Sequence, residues 1–110
     1  NKVGTPFYWR FEFDSTFDSS FWGDVDRGIA LCGTGIGISI SANRFQGVRA
    51  ALCISIDHAI ISRKHNDANV LALGARFISL KTMLEISENW LKTDFEGGRH
   101  QIRINKIEDF

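Results

Sequence analysis

The spacing of apolar and polar positions changes near residue 27. Before it, Phe7, Trp9, Phe11 and Phe13 alternate with Tyr8, Arg10, Glu12 and Asp14. A period of two with aromatic residues predicts a strand with one buried face, here an edge strand over 7–13 packing onto the rest of the domain. Asp14 to Asp18, with Ser15, Thr16, Ser19 and Ser20 around them, reads as a loop. Eight of the thirteen aromatic residues fall in this first stretch. No basic groove accompanies them, which argues against a stacking platform for bases.

After residue 27 short apolar runs alternate with helical patterns. Gly28–Cys32 predicts a buried strand and Ile38–Arg44 a helix. Gly47 introduces a strand over Val48–Cys53, and Asp57 is a plausible N-cap for a helix over 58–64 that ends near His65-Asn66-Asp67. Asn69–Leu73 reads as a strand and Gly74-Ala75-Arg76 as a turn. From Leu80 to Leu91 the apolar residues Leu80, Met83, Leu84, Ile86, Trp90 and Leu91 recur at helical spacing, with Lys81, Glu85, Glu88 and Lys92 on the outer face. A final helix follows Gly97-Gly98 and carries Arg99, Arg103 and Ile107. Apolar strands alternating with helices predict an α/β fold, a three-layer α/β/α sandwich with a mainly parallel, Rossmann-like sheet. Two parts are expected: a diverged aromatic-rich segment over 1–26 and an α/β domain over 27–110.

Composition narrows the function. At 110 residues the chain forms one domain with a core that needs no disulfide or metal staple. Thirteen basic side chains balance thirteen acidic ones, so a broad electrostatic grip on nucleic acid or an anionic membrane is not expected. Anion binding must come from a few placed arginines. Cys32 and Cys53 each close an apolar run and do not suggest a secreted disulfide framework. No apolar run approaches transmembrane length and no signal-peptide pattern is present, so a soluble cytoplasmic protein is the expectation.

Cys32-Gly33-Thr34-Gly35-Ile36-Gly37 holds the candidate chemistry. It puts a thiol at the carboxyl end of a strand, where open α/β sheets bind ligands, and a run of backbone N–H groups at the start of a helix. A free thiol ionises near pH 8.5, and a helix N-terminus favours the thiolate. The glycines resemble a dinucleotide turn, but the third falls one place early and Asp57, twenty residues beyond Gly37, stands several residues past its strand. No Lys-Ser/Thr pair supports a phosphate-binding loop of the nucleotide type. Taken singly, Cys32 would be a small buried hydrophobe, His65 a helix-terminal residue and Arg99/Arg103 a solvated face.

Four segments in order, GIALCGTGIGISISANR, VRAALC, SRKHNDANVLALGAR and FEGGRHQIRINKI, resemble the ribose-5-phosphate isomerase B family, which includes the galactose-6-phosphate isomerase subunits. The likeness runs from about Asp26 to Ile107, and HNDAN and GGRH favour the ribose-5-phosphate branch. It implies interconversion of ribose 5-phosphate and ribulose 5-phosphate through a cis-enediolate, with no metal or organic cofactor. Cys32 matches the family's base. Gly33, Thr34, Gly35, Ile36 and Gly37 match its backbone anion hole, with Thr34 counted among the catalytic residues. His65 matches the ring-opening histidine, with Asn66 a substrate contact beside it, and Arg76, Arg99 and Arg103 match the phosphate clamp. The family's sites lie between subunits, so the expected partners are a small phosphorylated sugar and further copies of the chain, as a homodimer or higher homo-oligomer.

The chain also departs from the family. The opening strand with its Ser-Asp-His-Ala-Gly-type motif, the helix and strand after it, and an Asp-Tyr-Pro segment have no counterpart in residues 1–26. Two alternatives are therefore open: a catalytically weak sugar-phosphate-binding or assembly protein, and an isomerase of another phosphorylated sugar. His58, His100 and Cys53 are expected to be structural, and Arg49 and Arg63 ordinary surface or ion-pair residues.

Overall fold

The computed structural model describes the backbone of Tyr8–Trp9 and residues 27–109. Its eight elements, in chain order, are β1 Tyr8–Trp9, β2 Gly28–Cys32, α1 Ile36–Ala42, β3 Ala50–Leu52, α2 Ile56–Asn66, β4 Val70–Gly74, α3 Leu80–Leu91 and α4 Arg99–Glu108. The sheet has the order β1-β2-β4-β3, and every pairing is parallel. β2 and β4 run in register from Gly28 opposite Val70 to Cys32 opposite Gly74, and Ala50–Leu52 pair with Val70–Ala72 on the other side of β4. All five residues of β4 are buried, as a strand covered on both faces requires. Of the predicted aromatic strand 7–13, Tyr8 and Trp9 pair with Gly28 and Ile29 at the sheet edge. The rest of that strand and the loop read over 14–18 lie outside the described residues.

Alternation along the strands sorts the core into two layers. Ile29, Leu71, Leu73 and Cys53 face one side, where they meet Ala59 of α2 and Ile86 and Trp90 of α3. Ala30, Cys32, Val70 and Ala72 face the other, against Ile38 and Ala42 of α1. The three-layer α/β/α architecture predicted from the alternation is the one observed.

Several boundaries differ from the sequence expectation, each for a local reason. α1 starts at Ile36, two residues early, because Gly35 takes the left-handed conformation (φ 80°) and turns the chain straight from strand into helix. A Cβ at Gly35 would also stand 2.5 Å from Leu52 Cδ1 and 2.9 Å from the Leu73 carbonyl carbon. The cap of α2 is Ser55, whose hydroxyl accepts from the His58 N–H at 3.2 Å, while Asp57 sits within the first turn. β3 is half the predicted length: the Arg49 N–H donates to Asn69 Oδ1 at 2.8 Å, outside the ladder. In α3 the predicted span holds, but Leu80 and Leu84 are 68% and 56% exposed, so only part of the apolar face is covered.

Two arginines are structural. Arg63, expected to be a surface or ion-pair residue, is the latter and is only 4% exposed. Its Nη1 donates to Asp67 Oδ1 at 2.7 Å and to the Ala68 carbonyl at 2.8 Å, and its Nε donates to the Thr93 carbonyl at 3.1 Å. These acceptors offset the cost of burying its charge. Arg49 forms ion pairs with Asp67 and Glu108. Trp90 is fully buried, with the Arg27 and Arg63 guanidinium carbons 5.8 and 6.0 Å from its ring centre.

The ends of β2 and β4 are locked backbone to backbone. Ala75 N–H donates to the Cys32 carbonyl at 2.9 Å and Arg76 N–H to the Gly33 carbonyl at 2.8 Å. A Cβ at Gly74 would stand 2.2 Å from the Thr34 carbonyl oxygen, a distance only glycine permits. Gly74→Ala is therefore expected to destabilise the fold by about 2–4 kcal/mol, since neither strand end can yield; the urea midpoint measures it, and an unchanged midpoint would contradict the close approach. Removing the cap with Ser55→Ala should cost about 1 kcal/mol and Asp57→Ala less, read from paired unfolding curves.

Candidate functional site

The predicted site residues fall into two clusters. The first is at the carboxyl edge of the sheet, where β2 and β4 end. Cys32 is 7% exposed, and its Sγ accepts the Gly35 N–H at 3.2 Å. Thr34 Oγ1 accepts the Ile36 N–H at 3.1 Å. Two of the five amides expected to form an anion hole are thus held by side chains of the loop itself. Gly33 leaves room for Arg76: a Cβ there would lie 3.1 Å from Arg76 Nε. The Arg76 side chain, on the turn after β4, therefore lies against the loop backbone at Gly33 and is otherwise exposed. Gly37 is the second residue of α1, half-buried.

The second cluster lies at the opposite edge. α2 runs back after β3, so its last residues, His65 and Asn66, stand just ahead of β4, whose first residue is Val70. Here the Asn69 N–H donates to the carbonyl of Arg49, which precedes β3. α4 packs against this end of α2. Arg103 Nη2 donates to the His65 carbonyl at 3.3 Å and meets His100 Nδ1 at 2.6 Å. The His65 and His100 rings stack with centroids 4.3 Å apart and planes 14° from parallel. Glu96 Oε1 lies 3.8 Å from His65 Nε2 and 3.5 Å from His100 Nε2. Arg99 opens α4 and is exposed, as is Asn66.

A five-residue parallel strand rises about 16 Å, so Cys32 and Arg76 are separated from His65, Asn66, Arg99 and Arg103 by about the depth of the sheet. One chain does not bring the two clusters together. The sequence reading also missed part of the second one. His100, expected to be merely structural, stacks on His65 and contacts Arg103, and Glu96 faces both imidazoles. Part of the signal was present in the spacing: His100 and Arg103 fall at i and i+3 on α4, which a helical turn brings to one side, whereas Glu96 precedes the helix.

Burial, then the neighbouring His65, Arg99 and Arg103, lowers the pKa of His100 below the usual histidine value, with Glu96 opposing. Cys53 belongs to neither cluster. Burial pushes its thiol up to about 11, against a lowering by the Ser62 hydroxyl, so it is the core residue that was expected. His65, Glu96 and His100 place three potential metal-ligand atoms within 4.8 Å of one another. Arginine only donates, however, so the Arg103 contact makes His100 Nδ1 the acceptor and leaves the hydrogen of a neutral ring on Nε2, the atom a metal would need. The arrangement suits a hydrogen-bonded cluster better than a metal centre. A separate cleft of about 370 Å³ is lined by Arg27, Arg49, Arg63, Asp67, Asn69 and Asp94. Arg49 and Arg63 are already paired there with Asp67, so it lacks the open cationic character of an anion site. Among the described residues, no helix is long and apolar enough to cross a membrane.

Comparison with known proteins points the same way as these motifs. The model of the ribose/galactose isomerase family matches residues 20–107. Ribose-5-phosphate isomerase B of Escherichia coli is 52% identical over 85 residues, which is 77% of this chain and 57% of that protein. Among solved structures, ribose-5-phosphate isomerase B of Clostridium thermocellum superposes with a TM-score of 0.78 at 53% identity, over 80% of this chain and 60% of the other. That of Mycoplasma genitalium, solved with bound ribulose-5-phosphate, gives 0.75 at 48% identity, over 78% and 57%. The chain spans 55–59% of the length of the curated relatives it matches first. With a family match over four fifths of its length and a motif order to go with it, this chain belongs to the ribose/galactose isomerase family.

Proposed function

We propose that the protein is a sugar-phosphate isomerase that interconverts ribose 5-phosphate and ribulose 5-phosphate, with residues 27–110 as the isomerase-like domain. The observation that carries this reading is the Cys32 loop: a thiol at a strand end, its sulfur held by the Gly35 amide, in a chain 48% identical to a protein solved with ribulose-5-phosphate. In the forward direction the Cys32 thiolate takes the proton from C2 of the open-chain aldose. The electron pair moves into a C1–C2 double bond and the C1 oxygen becomes the enediolate oxyanion. Return of the proton to C1 and transfer of the O2 proton to O1 give the ketose. The carbon that gains hydrogen and the carbon that loses it belong to one molecule, so the reaction is redox-neutral and calls for no redox cofactor.

Thr34 and the backbone of Gly33, Gly35, Ile36 and Gly37 surround the developing oxyanion, where a well-aimed donor lowers the barrier by about 3 kcal/mol. Arg76 adds positive charge on this side. His65 opens the furanose ring with Asn66 beside it, and Arg99 and Arg103 hold the phosphate as charge-assisted donors. Because the two groups stand at opposite sheet edges, a working site takes Cys32 from one copy and His65, Arg99 and Arg103 from another, in a homodimer or larger homo-oligomer.

Turnover of ribose 5-phosphate in deuterated water, followed by NMR, tests the chemistry. Ketose carrying deuterium is expected from the native chain, and Cys32→Ala should reduce the rate by at least about 10²-fold. Sugar-phosphate binding without turnover would instead leave a binding protein, and turnover of a different phosphorylated sugar would reassign the substrate. The shared site has its own test. Cys32→Ala and His65→Ala chains, inactive alone, should regain about a quarter of native activity when refolded together, since half the dimers are mixed and each holds one intact site. No recovery would sink the shared arrangement.

A further inference from the structure

His100 occupies a place that a filler residue does not explain. It is 6% exposed at the start of an otherwise exposed helix turn, stacked on one imidazole and in contact with a guanidinium. We propose that His100 is a positioning residue, holding the Arg103 guanidinium in place for the substrate's phosphate. The inference rests on the isomerase reading, because that reading assigns Arg103 to the substrate.

The chain of contacts has a direction. Arg103 has donors only, so the 2.6 Å contact requires a lone pair on His100 Nδ1. The neutral ring then carries its hydrogen on Nε2, which faces Glu96 Oε1 at 3.5 Å. That same oxygen faces His65 Nε2 at 3.8 Å. Glu96 is itself tied to α2, its N–H donating to the Lys64 carbonyl at 3.1 Å. Both contacts of Arg103 with described residues use Nη2, which leaves Nε and Nη1 for an anion. A charged His100 would have no lone pair for Arg103 and would confront Arg99 and Arg103 with a like charge, with Glu96 opposing; burial and those neighbours lower its pKa, which favours the accepting form.

The test compares the native chain with His100→Phe, His100→Asn, Arg103→Ala and the His100→Phe/Arg103→Ala double variant, near-UV circular dichroism confirming each fold. His100→Phe keeps the stacking and loses the acceptor, so KM for ribose 5-phosphate should rise about tenfold while kcat changes by less than about threefold. Asparagine, whose Oδ1 replaces Nδ1, should recover most of that loss. The double variant should be no weaker than Arg103→Ala alone, because the two side chains act as one unit. Additive losses, or a KM within about twofold of native for His100→Phe, would overturn the proposal. A nitrogen-resolved histidine spectrum of the substrate-free chain gives an independent check: the Nε2–H tautomer of His100 is expected, and the Nδ1–H tautomer would overturn the proposal whatever the turnover. If the native chain binds ribose 5-phosphate without converting it, the isomerase reading falls while the same variant cycle, read as affinity by calorimetry, still decides this one. Neither binding nor turnover would remove both.

Discussion

The structure depends on β4 being buried on both faces and paired on both edges. Val70 and Ala72 fill one layer, Leu71 and Leu73 the other, and β2 and β3 take the hydrogen bonds on either side. A slip of one residue would send Leu71 and Leu73 into the layer sized for α1 and Ala72 into the wider one under α2 and α3. Register is therefore fixed by side-chain volume as well as by the ladder. Register in turn aligns the strand ends: Cys32 stands opposite Gly74, and the glycine lets Thr34 come down onto the end of β4. The catalytic loop of the proposed mechanism is held by a packing constraint several residues away from its sulfur.

Charge is distributed by the same logic. The chain is neutral overall, yet its arginines divide by burial. Arg49 and Arg63 are spent inside, tying Asp67, the carbonyl of Ala68 and the loop at Thr93 around the end of α2. Arg76, Arg99 and Arg103 remain exposed. The first group anchors the platform on which His65 stands, and the second stays at the surface, Arg76 at one sheet edge and Arg99 and Arg103 at the other.

Much of this was legible in the sequence because strand and helix periods are local. The bounds of α3 and the start of α4 were readable from apolar spacing and the Gly97-Gly98 pair. The misses have local causes too. Ser55 and Asp57 are both good cap residues two positions apart, and only backbone geometry chooses between them. Arg63 reads as a surface or ion-pair residue, and only its three acceptors, all from later in the chain, show that the pair is buried. Leu80 and Leu84 satisfy a helical pattern that the described core covers only in part. At the site, motif order named the residues but not which edge of the sheet each occupies. That is decided by the parallel topology, which turns every helix back toward the start of the next strand. His100 was passed over because His65 becomes its neighbour only when α4 packs on α2.

The distance between the two clusters also changes what concentration means for this protein. In the shared-site arrangement proposed above, the active species would be an association product, and its abundance would obey mass action rather than chain number. Dilution below the dissociation constant would lower specific activity without unfolding a single chain. At low chain numbers, output then scales with the square of the amount present. Under that proposal a cell that halves the protein would lose about three quarters of its flux, and the sheet that keeps Cys32 from His65 would act, in effect, as a threshold on expression.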